Sequence, residues 1–225
     1  MKNNKKKFIL SKDGFELIKI KKDKIRYLDH IKKKITKIVQ DSIKDQKLTL
    51  EKIHYQNSKI NDFNKFRLKV INKINNTNEF QKLIFNILSD DLIKLFGTDI
   101  SVQKNINLVI QRPYDDSRAV IHIDAPPESV YQVNIWLPLV DCKKSMGMYF
   151  FRPNKIKIIN NFLSSKNYDS DKMDSFSKQH GFNPNIKFGS YIIFSPQTWH
   201  HPPINRENIT RWAINIRYKN TFSPH

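Results

Sequence analysis

The chain has 225 residues and carries 40 Lys+Arg against 21 Asp+Glu, a formal net charge of +19 at pH 7. With 39% hydrophobic and 12% aromatic residues it can bury a core, which excludes a disordered polymer. No run approaches the roughly 18 apolar residues that a membrane span needs. The five glycines are too few and too scattered to form a P-loop or a dinucleotide-binding fingerprint, so both classes of nucleotide enzyme are excluded.

Two features predict a cytoplasmic protein. The N-terminus, Met-Lys-Asn-Asn-Lys-Lys-Lys-Phe-Ile-Leu, is charged but lacks the longer apolar stretch of a secretory signal. The single cysteine, Cys142, cannot form an internal disulfide, which is the usual situation in a reducing compartment.

The positive charge is concentrated at the start of the chain, where residues 1–40 hold 14 Lys+Arg and 4 Asp+Glu. One interpretation is a solvated lysine-rich helix face opposite an apolar stripe. The other is attraction to nucleic acid or an anionic membrane surface. Lysine is preferred to arginine, and Asn and Ile are also abundant, as A+T-rich codons would produce. We therefore favour the solvated helix, and nucleic acid is the less favoured partner.

The first 98 residues predict a helical N-terminal region. Apolar residues recur there at helical spacing. Three groups have this spacing: 15–18, 28–39, and 80–96 followed by Gly97 as a helix stop. Between the second and third groups, residues 54–79 are polar and Asn-rich, which predicts a loop with one short helix at most.

After residue 98 the sequence has short β-branched and aromatic runs separated by Pro, Gly, Asn and Asp. The predicted strands are 106–111, 119–124, 130–139, 148–151, 191–194 and 212–218. A polar insertion, residues 153–187, predicts a surface excursion with some helix. We expect an α+β fold with a mainly β core, an antiparallel jelly roll (a cupin-like double-stranded β-helix) in residues 99–220. Residues 1–98 would pack outside it, in a single domain overall.

His122, Asp124 and His200 are the candidate metal ligands. Side chains alternate along a strand, so His122 and Asp124 emerge on one face and can bind one ion. Such a pair also arises by chance in a chain with seven histidines. His200 follows the 191–194 strand and supplies a second imidazole, with the adjacent His201 as the alternative. Two histidines and one carboxylate on facing strands form the triad that leaves open positions on Fe(II).

Arg211 opens the last predicted strand, eleven residues after His200. Alternation separates a polar face from an apolar face of Trp212, Ile214 and Ile216. The polar face consists of Arg211, Ala213, Asn215 and Arg217. Arginines that point into a barrel need an anionic or polar occupant, and a guanidinium suits a planar carboxylate. Alternatively, Arg211 lies at the rim and pairs with an acid.

The order of these motifs resembles the Fe(II)/2-oxoglutarate-dependent dioxygenases. The matching segments are His122-Ile123-Asp124, residues 133–139, residues 188–194, His200 and Arg211. Within that superfamily the chain is similar to the phytanoyl-CoA dioxygenase-like branch, especially bacterial members associated with carbohydrate and aminoglycoside pathways. The resemblance covers roughly residues 104–218 and leaves the helical N-terminal part unmatched.

The resemblance implies roles for individual residues. His122, Asp124 and His200 would hold Fe(II), and Arg211 would bind the distal carboxylate of 2-oxoglutarate. The spacing to Arg211 favours His200 over His201, which also precedes a proline and is restricted to extended geometry.

A further set of residues would surround the co-substrate and the substrate. The small hydroxyl residue often found two places after the arginine is here Ala213, so Tyr131 is a candidate to replace it. Co-substrate candidates are Asn134, Trp136 and Tyr131. Substrate candidates at the barrel mouth are Gln111, Arg112, Glu128 and Arg217.

The implied activity is hydroxylation of a substrate C–H bond, with dioxygen as oxidant and 2-oxoglutarate decarboxylated to succinate. The substrate would be a small molecule, a sugar or a sugar-containing metabolite such as a nucleotide-sugar, in carbohydrate biosynthesis. One alternative is a metal-binding cupin, an isomerase or binding protein, that needs neither 2-oxoglutarate nor Arg211. Another is a 2-oxoglutarate oxygenase acting on nucleic acid or protein, supported only by the basic N-terminal half.

Overall fold

The computed structural model describes residues 10–116, 120–124 and 131–223. The helices are α1 (Leu10–Asp13), α2 (Ile25–Ile43), α3 (Phe63–Asn75), α4 (Glu79–Phe96), α5 (Ile156–Ser164) and α6 (Ser170–His180). The strands are β1 (Phe15–Lys19), β2 (Ile100–Val102), β3 (Asn107–Gln111), β4 (Gln132–Pro138), β5 (Tyr149–Phe150), β6 (Ser190–Phe194), β7 (His200–His201) and β8 (Arg211–Asn220). None of the helices in these ranges has the length and apolar character that a membrane crossing requires.

Six strands form one antiparallel sheet, which we call the main sheet. Its order is β1-β6-β4-β8-β2, and β3 also pairs with β8. β5 and β7 form a separate two-stranded antiparallel sheet, the small sheet. The expected combination of helices with an antiparallel β core is therefore confirmed.

The helices before residue 98 cover one face of the main sheet. Trp212 is fully buried on this face, and its indole N–H donates to the Leu50 carbonyl at 2.7 Å. Tyr191 points the same way, and its hydroxyl donates to Asp91 on α4. The predicted apolar stripe of α2 is buried against the same core through Leu28, Ile31 and Ile35.

The small sheet covers the other face of the main sheet. Phe150 of the small sheet stacks on Phe15 with ring centroids 4.7 Å apart, and meets Phe194 edge-on at 5.4 Å. Phe15 and Phe194 are directly opposite each other in β1 and β6. On its outer side, the small sheet contacts α6 through a hydrogen bond between His201 and Ser177. Polar side chains of the main sheet are therefore enclosed between two β layers.

Residues 15–18 form a strand, so the prediction of helical spacing there is wrong. β1 pairs with β6 over five positions, from Phe15 opposite Phe194 to Lys19 opposite Ser190. The pairing allows Phe15 to be fully buried between the two β layers. Pairing with a distant strand overrides the local pattern here, since strand preference depends on packing partners.

Residues 54–79 are more helical than predicted. A 3-10 helix spans Leu50–Lys59, and α3 runs for 13 residues. The Asp62 carboxylate caps α3 by accepting from the Lys65 N–H at 2.9 Å. The helix buries Phe66, Val70 and Ile74, which are four residues apart. The four-residue spacing of these apolar side chains is visible in the sequence, but the many surrounding Asn and Lys residues led to the prediction of a loop.

The predicted strand 119–124 and the insertion 153–187 also differ in detail. Residues 117–119 lie outside the described residues, and His122 forms a single bridge with His200 instead of a regular strand. The insertion contains α5 and α6, and it is less peripheral than a surface excursion. Ile159 and Met173 of these helices are buried together with Ile121 and Phe151.

Candidate metal centre

Backbone pairing brings His122, Asp124 and His200 to one place. His122 and His200 exchange two backbone hydrogen bonds, of 3.0 and 2.9 Å, and the Asp124 N–H donates to the Pro196 carbonyl. Residues directly opposite in an antiparallel pair project their side chains to the same side. Both imidazoles and the Asp124 carboxylate therefore face the space between the two β layers.

The three side chains form a compact set of donor atoms. One atom from each residue lies within 4.8 Å of the others. The Nε2 atoms of His122 and His200 lie 3.4 and 3.6 Å from Asp124 Oδ1. The clustering expected from the sequence is thus present, with His200 and not His201 beside the other two.

The second nitrogen of each imidazole is held by the backbone. His122 Nδ1 lies 2.6 Å from the Val120 carbonyl oxygen, and His200 Nδ1 lies 2.9 Å from that of Thr198. A carbonyl only accepts, so each Nδ1 carries the proton and each Nε2 lone pair points toward Asp124. Metal-binding histidines are typically oriented by such a bond on the nitrogen away from the metal.

The surroundings favour a neutral His200 and an ionised Asp124. Burial is the main reason that the pKa of His200 falls to about 4, and the neighbouring His122 adds to it. Burial raises the pKa of Asp124, but favourable interactions outweigh it, led by the hydrogen bond with His122 and including the positive charge of Arg217. The Asp124 pKa is therefore lowered, which keeps the carboxylate anionic.

The pKa of His122 shifts in the opposite direction to that of His200, and the His122 side chain is the more exposed of the two. Burial lowers its pKa, but the hydrogen bonds with Asp124 and the Val120 carbonyl are together stronger, so the pKa is raised. In its protonated form His122 carries a second proton on Nε2, beside Asp124. A metal ion bound to Nε2 would replace this proton, since a bound metal requires the neutral imidazole.

Asn134 on β4 fixes the Asp124 carboxylate. Its amide N–H donates to Asp124 Oδ2, which leaves Oδ1 directed at the two histidines. The side-chain oxygen Oδ1 of Asn134 is buried without a partner. Arg217, directly opposite Asn134 in β8, donates to the Asp124 backbone carbonyl at 3.3 Å.

Aromatic rings shield the His200 side of the cluster. The Phe194 ring meets His200 edge-on at 5.1 Å between centroids, and Phe150 lies 6.1 Å away. Both rings are fully buried. His200 therefore has almost no contact with water, whereas the His122 side chain is 30% exposed.

Arg211 lies on the same face of the main sheet as the metal cluster. The β8 register places Arg211, Asn215 and Arg217 on one side, as the alternation predicted, and Gln111 is opposite Arg211. Arg211 is 3% exposed, so it is not a rim residue. Its guanidinium donates to the Gly147 carbonyl at 3.1 Å, while Nε is buried without a partner.

The Arg211 charge is not neutralised by an acid in the described part of the chain. Burial lowers its pKa to about 10, but the group remains cationic at neutral pH. An unpaired buried charge is costly, so this position favours an anionic occupant. Gln111 Oε1 and Asn215 Oδ1, on the same face, are also buried without hydrogen-bond partners.

The sequence also predicted that Trp136 and Tyr131 contact the co-substrate and that Glu128 contacts the substrate. Trp136 is 2% exposed and opposite Asn215, on the face of the metal cluster. Tyr131 is 51% exposed and one residue before β4, outside the buried group. Glu128 lies outside the described residues.

Arg112 does not contact the cluster. Its guanidinium lies 4.2 Å from the Phe63 ring centroid, donates to Asn57 and pairs with Asp115 at 3.5 Å. These partners hold Arg112 beside α3 and the preceding 3-10 helix. The interpretation of Arg112 as a substrate contact therefore receives no geometric support.

His201 lies on the opposite face of β7 from the cluster. It is fully buried, its Nδ1 lies 2.9 Å from Ser177 Oγ, and its Nε2 lies 3.9 Å from Asp174 Oδ1. Ser177 and Asp174 belong to α6, so this helix braces the strand that carries His200. This contact could not be predicted from the sequence, because Ser177 is one of many polar residues in the insertion.

The two adjacent histidines should respond differently to replacement. We expect His200→Ala to abolish high-affinity metal binding, because it removes one of three donor atoms. His201→Ala should lower the unfolding free energy by about 1–3 kcal/mol, since it leaves the buried Ser177 hydroxyl unpartnered. Titration calorimetry with Co(II) and thermal unfolding of the two variants would check this. Equal loss of metal affinity in both variants would contradict the assignment of His200.

The donor set fits a ferrous ion. Two imidazole nitrogens and one carboxylate oxygen match the arrangement that non-heme Fe(II) proteins use, which leaves coordination positions free. Two observations add support: both Nδ1 atoms are held by carbonyls, and Asn134 orients the carboxylate.

The fold is similar to that of solved non-heme enzymes. A non-heme monooxygenase, ThoJ in a nickel complex, is 16% identical, with 96% of this chain and 77% of that chain covered and a TM-score of 0.58. SnoK, an alpha-ketoglutarate-dependent carbocyclase from nogalamycin biosynthesis, is 12% identical (94% and 81% covered, TM-score 0.56). HygX from Streptomyces hygroscopicus, with iron bound, is 7% identical (96% and 86% covered, TM-score 0.56).

At these identities the similarity establishes a shared fold. The sequence matches no family model and no curated protein. The assignment of chemistry therefore depends on the side chains of the metal centre.

Proposed function

We propose that this protein is an Fe(II)- and 2-oxoglutarate-dependent oxygenase that hydroxylates a C–H bond of a small molecule. The observation that carries the proposal is that one face of the main sheet brings together the metal cluster, through Asn134, and Arg211. The three donor atoms lie within 4.8 Å of one another, and the Arg211 Nε is buried without a partner. The fold shared with non-heme enzymes supports it. Fe(II), 2-oxoglutarate and dioxygen together would supply the oxidising chemistry.

In this proposal the protein holds and orients the reactants. His122 and His200 present neutral Nε2 atoms, because backbone carbonyls fix the protons on Nδ1. Asp124 contributes the single negative charge, and Asn134 keeps its Oδ1 directed at the two histidines. The Phe150 and Phe194 rings exclude water on the His200 side, which lowers the local dielectric and strengthens each polar contact.

Arg211 would bind the distal carboxylate of 2-oxoglutarate. The guanidinium fork can make two charge-assisted hydrogen bonds to one carboxylate, and its buried Nε has no other partner. Gln111 and Asn215 offer further polar atoms on the same face. The Ala213 position carries no hydroxyl, and Tyr131 is too exposed to replace it convincingly, so these two amides are the better candidates.

The two β layers support a jelly-roll core in residues 99–220, with the helical residues 1–98 on its outside. β1, from the N-terminal region, extends the main sheet beyond that core. The insertion 153–187 would form an outer layer that braces β7. We further propose that the protein belongs to the phytanoyl-CoA dioxygenase-like branch. We propose a sugar or sugar-containing metabolite as the substrate, since the buried amide oxygens of Gln111 and Asn215 can accept hydrogen bonds from hydroxyl groups.

The basic helix α2 gives little support to a nucleic-acid substrate. Several lysines along or near it are paired within the chain, at 2.8 Å for Lys32 with Glu51 and 2.9 Å for Lys24 with Asp90. Lys34 pairs with Glu79 in the same way. These pairs reduce the number of free cations that a phosphate backbone could use.

Anaerobic titration with Fe(II) and 2-oxoglutarate tests the proposal. We expect one Fe(II) per chain and a visible charge-transfer absorption band that appears only when both are present. With oxygen and a panel of sugars and nucleotide-sugars, succinate should form together with a product carrying one additional oxygen atom. A metal-binding cupin would bind the ion but give no band and no succinate. That outcome would overturn the oxygenase assignment.

A further inference from the structure

A cavity lies on the helix-covered face of the main sheet. It has a volume of about 450 Å³ and is formed by the first half of α4, the edge strand β2 with its following loop, and Tyr218 of β8. We call it the α4–β2 cavity. Arg217, next to Tyr218, contacts Asp124 on the other face of the sheet. Side chains alternate along a strand, so the cavity and the metal centre are separated by the sheet itself.

Two buried polar groups of this cavity have no hydrogen-bond partner. Tyr218 is 1% exposed, and its hydroxyl is unpartnered. Gln81 is 9% exposed; its amide N–H donates to the Lys104 carbonyl at 2.8 Å, but its Oε1 accepts from nothing. Burial raises the pKa of Tyr218, so its hydroxyl keeps its proton and can donate. Most buried polar groups in proteins are paired, so two such atoms lining one cavity point to a bound partner.

The remaining lining combines apolar side chains, positive charge and the amides Asn78, Asn86 and Gln103. Phe85, Ile100 and Val102 provide the apolar walls. Lys82 and Lys104 are the only charged residues among the described residues that line the cavity, and neither forms an ion pair there. The cavity therefore combines apolar walls, two cations, several amides and two buried polar atoms without a partner, the Gln81 Oε1 acceptor and the Tyr218 hydroxyl.

We propose that the α4–β2 cavity binds a small aromatic acid that also carries a hydroxyl or amide group. The aromatic body packs against Phe85 and the aliphatic walls. The hydroxyl or N–H donates to Gln81 Oε1, an acceptor-only atom, and the ligand oxygen accepts from Tyr218. The acid group pairs with Lys82 and Lys104, whose charge is complementary. The volume is within the range of small-molecule sites.

Two related fluorescent probes separate these contributions. Anilinonaphthalene sulfonate has aromatic rings, one N–H and an acid group, whereas N-phenyl-1-naphthylamine lacks the acid. We expect the first probe to bind one site per chain, and more tightly than the second. Tyr218→Phe should raise its Kd roughly three- to tenfold, the effect of one hydrogen bond from the hydroxyl to a sulfonate oxygen. Replacing both Lys82 and Lys104 with Gln should weaken the sulfonate probe alone, and added salt should have the same effect.

Matched controls make the result specific. Tyr114→Phe and Lys94→Gln change the same residue types outside the cavity and should leave both Kd values unchanged. Asp124→Ala should also leave them unchanged, since the metal centre lies across the sheet. Near-ultraviolet circular dichroism verifies that each variant is folded, and the two lysines are exposed, so their replacement does not endanger folding. Equal Kd values for the wild type, Tyr218→Phe and the double lysine variant would overturn the proposal. Loss of binding in Asp124→Ala would overturn it as well.

Discussion

Asp124→Ala should abolish stoichiometric Fe(II) binding and reduce 2-oxoglutarate turnover to the background rate. The carboxylate is the only anionic donor of the cluster, and both histidine Nε2 atoms are within 3.6 Å of its Oδ1. Without it, two neutral imidazoles remain, which bind a ferrous ion far more weakly. Equilibrium dialysis under anaerobic conditions measures the first effect, and succinate formation measures the second.

Asp171→Ala is the matched control for this experiment. Asp171 is an exposed carboxylate that pairs with Arg206 on the surface of α6. Its removal should leave metal binding and turnover unchanged, because surface ion pairs contribute little. If Asp124→Ala retained iron and full activity, the metal centre assigned to His122, Asp124 and His200 would be wrong.

Arg211→Met should weaken 2-oxoglutarate binding by about thirtyfold or more while leaving Fe(II) binding intact. Removing one partner of a buried, hydrogen-bonded charge pair costs about 2–5 kcal/mol, and each 1.4 kcal/mol is a tenfold change in Kd. Arg211→Lys should recover only part of the affinity, since an ammonium cannot make the two parallel bonds of a guanidinium. Titration calorimetry with the Co(II)-loaded protein gives both affinities without turnover.

The same replacement should stabilise the protein in the absence of 2-oxoglutarate. The guanidinium is buried, its charge is not paired with an acid in the described part of the chain, and its Nε lacks a partner. An apolar side chain of similar length removes that unfavourable burial. We therefore expect Arg211→Met to have a higher Tm than the wild type in the absence of ligand. A lower Tm together with unchanged 2-oxoglutarate affinity would show that Arg211 is structural.

The sequence predicted the β core and the grouping of His122 with Asp124, because both depend on alternation, whereas His200 joins them through the backbone pairing of a distant segment. A period of two places His122 with Asp124, and Arg211 with Asn215 and Arg217, on one face of a strand. The structure has these groupings. The roles of these residues in binding iron and 2-oxoglutarate stay predictions.

Contacts between distant segments could not be predicted from local patterns. β1 is a strand because β6 offers it a free edge, and nothing within residues 15–18 reveals that edge. The bracing of His201 by Ser177 depends on where α6 packs. Arg112 contacts Phe63 because α3 packs beside it. The polar composition of residues 54–79 had not predicted a helix of this length.

Crystals grown anaerobically with Fe(II) and 2-oxoglutarate would test the central claim most directly. Anomalous diffraction at the iron edge should give one strong peak per chain, within bonding distance of His122 Nε2, His200 Nε2 and an Asp124 oxygen. Electron density for 2-oxoglutarate should extend from that peak to the Arg211 guanidinium. A peak beside His201 and Asp174, or an iron site with Arg211 contacting no ligand, would contradict the account.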